Sequence, residues 1–190
     1  MQYQDAQNQI NGYRKQISQL REEMRKVQSG VEPVEVEDYE FSTSNGSVKL
    51  SDLFGENDTL FVVHNMGKSC PACTMWADGF NGVYDHLKSR APFIVSSPDS
   101  PEAQQKFAAK RNWVFPMASH EGTSFAKDMG YKSDEHGFMP GVSIFKKQSG
   151  KIMRVSDTCF QPGDDFCATW HILDMLPEGR DGWHHKFNYG

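Results

Sequence analysis

"HNMGKSCPACTMWADGF", residues 64–80, sets Cys70 and Cys73 three apart just after an apolar run, Leu60-Phe61-Val62-Val63. The pair can be a redox dithiol, half of a metal site or two small buried residues, and its surroundings bear on the choice. "LFVVH" is apolar without alternation, as in a strand buried on both faces. From Pro71 to about Lys88 the chain reads as a helix. Cys70 therefore falls at a helix N-cap directly after a buried strand. Pro71 takes the first helical position, where a fixed φ and a missing N–H cost nothing. Free backbone N–H groups and the helix dipole stabilise a thiolate at such a cap and lower its pKa. Cys73 lies one turn on along the same face, within disulfide reach. Cys70 is thus expected to be the exposed nucleophile and Cys73 the sheltered, resolving thiol. The alternatives are a structural pair of buried cysteines and a structural zinc. Zinc needs four ligands. There is no second C-x-x-C, Cys159 and Cys167 are eight apart, and the best histidine pair, His184 and His185, is adjacent in sequence.

Composition narrows the class. The 190 residues suit one domain plus an appendage, and 37% apolar with 12% aromatic residues can build a core. Twenty basic against 25 acidic residues give a net charge of −5, so neither nucleic acid nor an anionic membrane is expected as a partner. No apolar run approaches the roughly 20 residues of a membrane span. The glutamine-rich start, "MQYQDAQNQI", does not resemble a secretory signal, and a cytoplasmic protein is expected. Four cysteines are too few for a disulfide framework. In a reducing compartment a close pair points to catalysis or metal binding.

Three parts are expected: a helix over 1–30, a domain over 34–177 and a polar, aromatic tail over 178–190. In the first part Tyr3, Ala6, Ile10, Tyr13, Ile17, Leu20, Met24 and Val27 step alternately by three and four, a heptad seam. So narrow a stripe fits a partner helix better than a helix lying on its own domain. A homo-oligomer, most simply a dimer through residues 3–27, follows as the expectation. Gly30 and Pro33 stop the helix.

The second part alternates strands and helices. "DYEFSTSNGSVKL" is a hairpin turning at Asn45-Gly46, and Ser51-Asp52 starts a helical turn. "APFIVSS" is a second buried strand. Ser100-Pro101-Glu102 reads as cap, proline and acid at a helix start. "VFPMAS" is a short strand, "TSFAKDMG" a short helix closed by Gly130, and "GVSIFKKQSGKIMRVS" a hairpin turning near Ser149-Gly150. A last helix is expected over 164–176, with Phe166, Trp170 and Leu173 on one face. The class is α/β, a sheet flanked by helices.

These segments together resemble the thioredoxin superfamily, in the branch related to AhpC/TSA and TlpA-like proteins. "DYEFSTSNGSVKLSDLFGENDTLFVVHNMGKSCPAC" is similar to that branch's opening hairpin, buried strand and C-P-x-C. "FPMASHEGTSFAKDMGY" is similar to its inserted strand and helix, and "MPGVSIFKKQSGKIMRV" to its closing hairpin. More closely, "SCPACTMWADGFNGVYDHL", "MPGVSIF" and "DMLPEGR...W" resemble the bacterial family DUF899, described as predicted dithiol-disulfide oxidoreductases. The resemblance spans about residues 15–190. It implies a thioredoxin-like fold with a central mixed sheet, Cys70 as attacking thiolate and Cys73 as resolving thiol. It also implies a cis Met139–Pro140 bond, with the Met139 backbone facing the dithiol to hold an extended substrate. His64, six residues before Cys70, stands where thioredoxins carry a buried proton acceptor. It can serve as one or be a hydrogen-bonded core histidine. Pro71 and Trp76 are further candidates for substrate contact, Trp76 with a core role as its alternative.

Two departures from thioredoxin leave the direction of transfer open: Ser69 replaces an aromatic residue, and Pro71-Ala72 replaces Gly-Pro. A peroxiredoxin needs Pro-x-x-x-Thr/Ser-x-x-Cys. Those positions are Val63 and Gly67 counted from Cys70, and Met66 and Cys70 counted from Cys73. Peroxidase chemistry of that type is therefore not expected. Cys159 and Cys167 read as a strand-end and a buried helix residue, with a second disulfide as the alternative; Trp183, His184 and His185 read as surface or oligomer-contact residues. The expected function is a thiol-disulfide oxidoreductase needing no metal or organic cofactor and acting on a protein or small-molecule thiol or disulfide. A non-enzymatic oligomeric binding module and a metal-binding protein are the rival functions.

Overall fold

The computed structural model describes residues 1–190, which divide into two compact units, Met1–Pro33 and Val34–Gly190. The first is one helix, α1 (Tyr3–Ser29), in which no residue is buried. Its seam side chains stand in solvent: Ile10 is 40% exposed and Leu20 58%. Gly30 ends it, its N–H turning back to the Val27 carbonyl at 3.0 Å.

The second unit starts with β1 (Val34–Val36), β2 (Glu40–Thr43) and β3 (Gly46–Lys49), then a 3₁₀ turn at Asp52–Phe54. The β2–β3 turn depends on Gly46, whose φ of 110° a side chain would resist. Next come β4 (Thr59–His64), α2 (Pro71–Lys88), β5 (Phe93–Ser97), α3 (Pro101–Arg111), β6 (Met117–Ser119) and α4 (Phe125–Asp128). The small hairpin β7 (Lys132–Ser133) and β8 (Gly137–Phe138) precedes the long one, β9 (Gly141–Gln148) and β10 (Lys151–Cys159). Helix α5 (Ala168–Leu173) comes last.

Eight strands form one mixed sheet in the order β1-β10-β9-β4-β5-β6-β2-β3. β5 runs parallel to β4 and to β6, while β9 pairs antiparallel with β4. Side chains alternate along β4, and the core divides accordingly. Leu60 and Val62 join one cluster with Phe125, Tyr131 and Phe145. Phe61 and Val63 face the other, which holds Trp76, Ala77 and Phe80 of α2. The buried positions 73, 74, 76, 77 and 80 lie along one side of the helix. Burying each large side chain there contributes roughly 1.5–3 kcal/mol.

Two sequence expectations are corrected here. The last helix begins at Ala168, not Asp164, because Asp164 is occupied in a turn. Its carboxylate accepts the backbone N–H groups of Gln161 and Phe166, both at 3.0 Å. The tail, set apart at 178–190, belongs to the second unit: the Trp183 ring meets Trp170 edge-on at 5.8 Å, and Arg111 donates to the Phe187 carbonyl at 2.8 Å.

Candidate active site

A tied-down loop leads from β4 into α2. The Asn65 side chain accepts the Gly67 N–H at 2.8 Å, and the Asp99 carboxylate accepts the Lys68 N–H at 2.7 Å. Gly67 has a φ of +102°, and a Cβ there would sit 2.9 Å from an Asp99 oxygen. Glycine alone fits this approach. The Gly67 carbonyl then accepts the Cys70 N–H at 3.1 Å, which sets Cys70 at the helix start.

Cys70 is the N-cap of α2, with extended φ and ψ of −99° and 106°. Its Sγ takes the place of a capping hydroxyl, accepting the Cys73 N–H at 3.0 Å. Cys70 is half-buried, Cys73 is buried, and all four cysteines are free thiols. The Cys70 pKa is lowered from 9.0 to about 7. The chief cause is the hydrogen bond from the Cys73 thiol; the backbone N–H groups of Cys73 and Ala72 add to it, and burial opposes them. No cationic side chain contributes. Cys73 moves the other way. Its thiol is held protonated by that same hydrogen bond, by burial and by the negative charge on Cys70, against a backbone hydrogen bond from Met66. The two thiols thus hold one proton on Cys73 and one accessible thiolate on Cys70.

Behind Cys73 is a cavity of about 10 Å³, on the order of one water, lined by Asn65, Trp76, Pro140 and Phe160 among others. Trp76 is 3% exposed and donates its Nε1 hydrogen to Asp164 at 3.2 Å. It is core and cavity wall, where sequence had also offered substrate contact. Pro71 is half-buried beside Cys70 in the first turn.

The expected cis bond at Pro140 is absent, since every peptide bond is trans. Between β8 and β9, Met139 donates to the Tyr131 carbonyl at 2.8 Å and Pro140 accepts from Phe160 at 2.9 Å. No tight turn is present for a cis proline to close, and the ordinary trans preference prevails. The Met139 N–H is bonded to the Tyr131 carbonyl, and the Met139 side chain packs on the core.

His64 packs in the manner of the core histidine that was one of its two expected readings. Alternation puts its ring on the side of Leu60 and Val62, across the sheet from α2. It stacks on Tyr131 at 3.8 Å, and its Nε2 shares a hydrogen bond with Ser143 at 2.9 Å. Burial drives its pKa well below 6.5, with the nearby His120 and Arg154 charges adding to the effect. Its ring packs as that of a core histidine, against Tyr131 and Phe125, while the residue also borders the small cavity behind Cys73.

Sequence reading missed Asn65, Asp99, Asp164, His120 and Gly141. "Asn65-Met66-Gly67" carries the signature of an Asx turn and was legible. Asp99 and Asp164 act on residues 31 and 88 positions away, which no local pattern reveals. His120 is buried against Ser96, Oγ to Nδ1 2.9 Å. A Cβ on Gly141 would lie 2.2 Å from the Tyr131 ring and 2.5 Å from the Thr158 carbonyl. No group of three or more His, Cys, Asp or Glu is arranged to hold a metal ion. No helix is long and apolar enough to cross a membrane.

Residues 1–189 match the family described as "Bacterial protein of unknown function (DUF899)". The chain is 32% identical over 108 residues to the chloroplastic peroxiredoxin Q of Sedum lineare, covering 56% of this chain and 58% of that protein. It is 30% identical over 132 residues to its counterpart from Triticum aestivum, 68% of this chain and 60% of that protein. The chain thus spans about three-fifths of the length of the curated relatives it matches. Among solved structures, Xylella fastidiosa PrxQ aligns with a TM-score of 0.59 at 16% identity, covering 69% of this chain and 87% of that one. Xanthomonas campestris peroxiredoxin Q aligns with a TM-score of 0.54 at 20% identity, covering 64% and 80%. At these identities the likeness concerns the fold, and the fold is thioredoxin-like.

Proposed function

We propose that this chain, which belongs to the DUF899 family, is a thiol-disulfide oxidoreductase working through Cys70 and Cys73. One observation carries the reading: a half-buried cysteine at a helix N-cap, its pKa near 7, hydrogen-bonded to a buried partner thiol. The Cys70 thiolate attacks one sulfur of a substrate disulfide. The S–S bond breaks, the leaving thiolate takes up a proton, and Cys70 is left in a mixed disulfide. Cys73 then gives up its proton and attacks the Cys70 sulfur, releasing the second substrate thiol. Two electrons have passed from the dithiol to the substrate, and the reverse sequence oxidises a substrate dithiol.

The pair provides its own timing. Of the three influences that keep Cys73 protonated, two come from the Cys70 thiolate: its hydrogen bond and its charge. Both vanish when Cys70 enters the mixed disulfide. Burial alone then opposes ionisation, against the Met66 backbone hydrogen bond. The resolving thiol is thus released for attack at the step that needs it.

The test is a trap. Cys73→Ser should accumulate substrates as mixed disulfides on Cys70, because resolution needs the second thiol. Cys70→Ser should accumulate none. A chain that forms no adduct under oxidising conditions is a scaffold, and one that carries a stoichiometric metal removable only by chelator is a metal protein.

A second reading, thiol peroxidase, is favoured by the names of the relatives. There the thiolate attacks a peroxide oxygen, becoming a sulfenic acid as the O–O bond breaks and hydroxide or alkoxide leaves. Cys73 then condenses with the sulfenic acid, releasing water. Against this stand the missing hydroxyl residue in the motif and the absence of a cation contributing at Cys70 to meet the leaving charge. Consumption of hydrogen peroxide, compared with reduction of a disulfide by the same preparation, separates the two. A cytoplasmic setting and a dimer through residues 3–27 complete the proposal.

A further inference from the structure

Two apolar surfaces of this chain lack a partner within their own unit. One is the α1 seam, from Ile10 through Leu20, with no buried residue. The other is a groove of about 810 Å³ in the second unit, along the outer face of α2 from Met75 to Leu87, closed by Phe166, Leu173 and Tyr189. Val83 in its floor is 45% exposed and Tyr189 at its rim 64%. Gly79 leaves open space where a Cβ would be, room for a close helix approach. We propose that the groove receives α1 of a second copy, each chain lending its helix to the other.

Charge and length argue for this occupant. α1 carries five basic residues against three acidic, a net of +2, so the rest of the chain stands at −7. The groove is lined by Asp78 and Asp165 and by no lysine or arginine. Both aspartates have partners, Arg111 and His171 respectively, so the match lies in the summed field and not in two new ion pairs. A parallel pairing of α1 with itself brings like net charge together; among its flanking positions Glu23 is the one acid, and Arg14 and Arg21 face Gln9 and Gln16. Met75 to Leu87 spans about 18 Å of helix and Ile10 to Leu20 about 15 Å, at 1.5 Å per residue. An amphipathic helix laid in a groove by residues three, four and seven apart is an established docking mode.

Complementation between two full-length variants tests it. Ile10→Gln/Ile17→Gln spoils the helix and keeps the groove. Val83→Lys/Tyr189→Lys spoils the groove and keeps the helix; Val83→Lys alone serves if the pair does not fold. By light scattering at micromolar concentration, wild type should be a dimer and each variant a monomer. Mixing the two variants should restore a heterodimer held by one helix in one groove. A groove variant that stays dimeric means that the helices pair with each other, and a monomeric wild type means that no second copy is the occupant. Either result overturns the proposal, as does a mixture that stays monomeric.

Discussion

Replacing Cys73 by alanine should raise the pKa of Cys70 by about one unit, while Cys73→Ser should leave it close to 7. The Cys73 thiol donates the hydrogen bond that is the largest cause of the drop from 9.0 to about 7. Alanine removes that donor but keeps the backbone N–H groups of Cys73 and Ala72, so about half of the two-unit drop remains. Serine offers an O–H donor in the same place. One unit is about 1.4 kcal/mol, a reasonable size for one hydrogen bond to an ionised acceptor. At pH 7 the thiolate fraction should fall from about one half to about one tenth, and Cys70 alkylation should slow roughly fivefold. The assay is mass-mapped alkylation against pH, with absorbance of the thiolate as a second readout. If alanine and serine variants titrate alike, with Cys70 still near 7, the helix terminus alone sets the pKa and the shared-proton account is wrong.

Acid should weaken the fold through its buried histidines. Burial and the Lys132 charge lower the His120 pKa to about 4, and His64 moves in the same direction. The unfolded chain therefore takes up protons below about 6.5 while the folded chain does not. Stability is full above that pH and falls as pH drops toward 4, by about 2 kcal/mol at pH 5 for His120 alone; denaturant melts of His120→Gln should show a correspondingly shallower pH slope, and an unchanged slope would count against the assignment. Gly141→Ala should lower the melting temperature by about 6–12 °C, because the added methyl meets a backbone carbonyl and the Tyr131 ring at a cost of roughly 3 kcal/mol; a loss below 2 °C would mean that the strands part freely there. Gly67→Ala should disturb the loop before Cys70, raising the Cys70 pKa with little change in the helical circular dichroism signal, since the clash is with Asp99 and not with α2.

Much of the architecture is local chemistry, and so was legible. The bounds of α2 follow from Cys70 and Pro71 at its start and the buried side at 73, 74, 76, 77 and 80, all within one helix. The same holds for Ser100 capping α3, whose hydroxyl accepts the Ala103 N–H, and for Gly46 at the hairpin turn. The dithiol itself was legible because cap, proline and preceding strand are neighbours in sequence. What went astray depends on faces and distant partners. Strand periodicity puts His64 with Leu60 and Val62, but only the assembled core stacks its ring on Tyr131 and Phe125, opposite the side on which α2 packs. Pro140 is trans, and Met139 and Pro140 bond to Tyr131 and Phe160, partners that sequence does not place beside them. The tail is anchored by Trp170 and Arg111, and Asp164, held in a turn and bonded to Trp76, makes the last helix start late. Sequence alone determined where most of the helices and the main strands begin and that Cys70 caps α2, since caps and turns are settled within four residues. The tertiary structure decided which groups surround that thiol, because hydrogen bonds and burial between residues tens of positions apart exist only once the sheet has assembled.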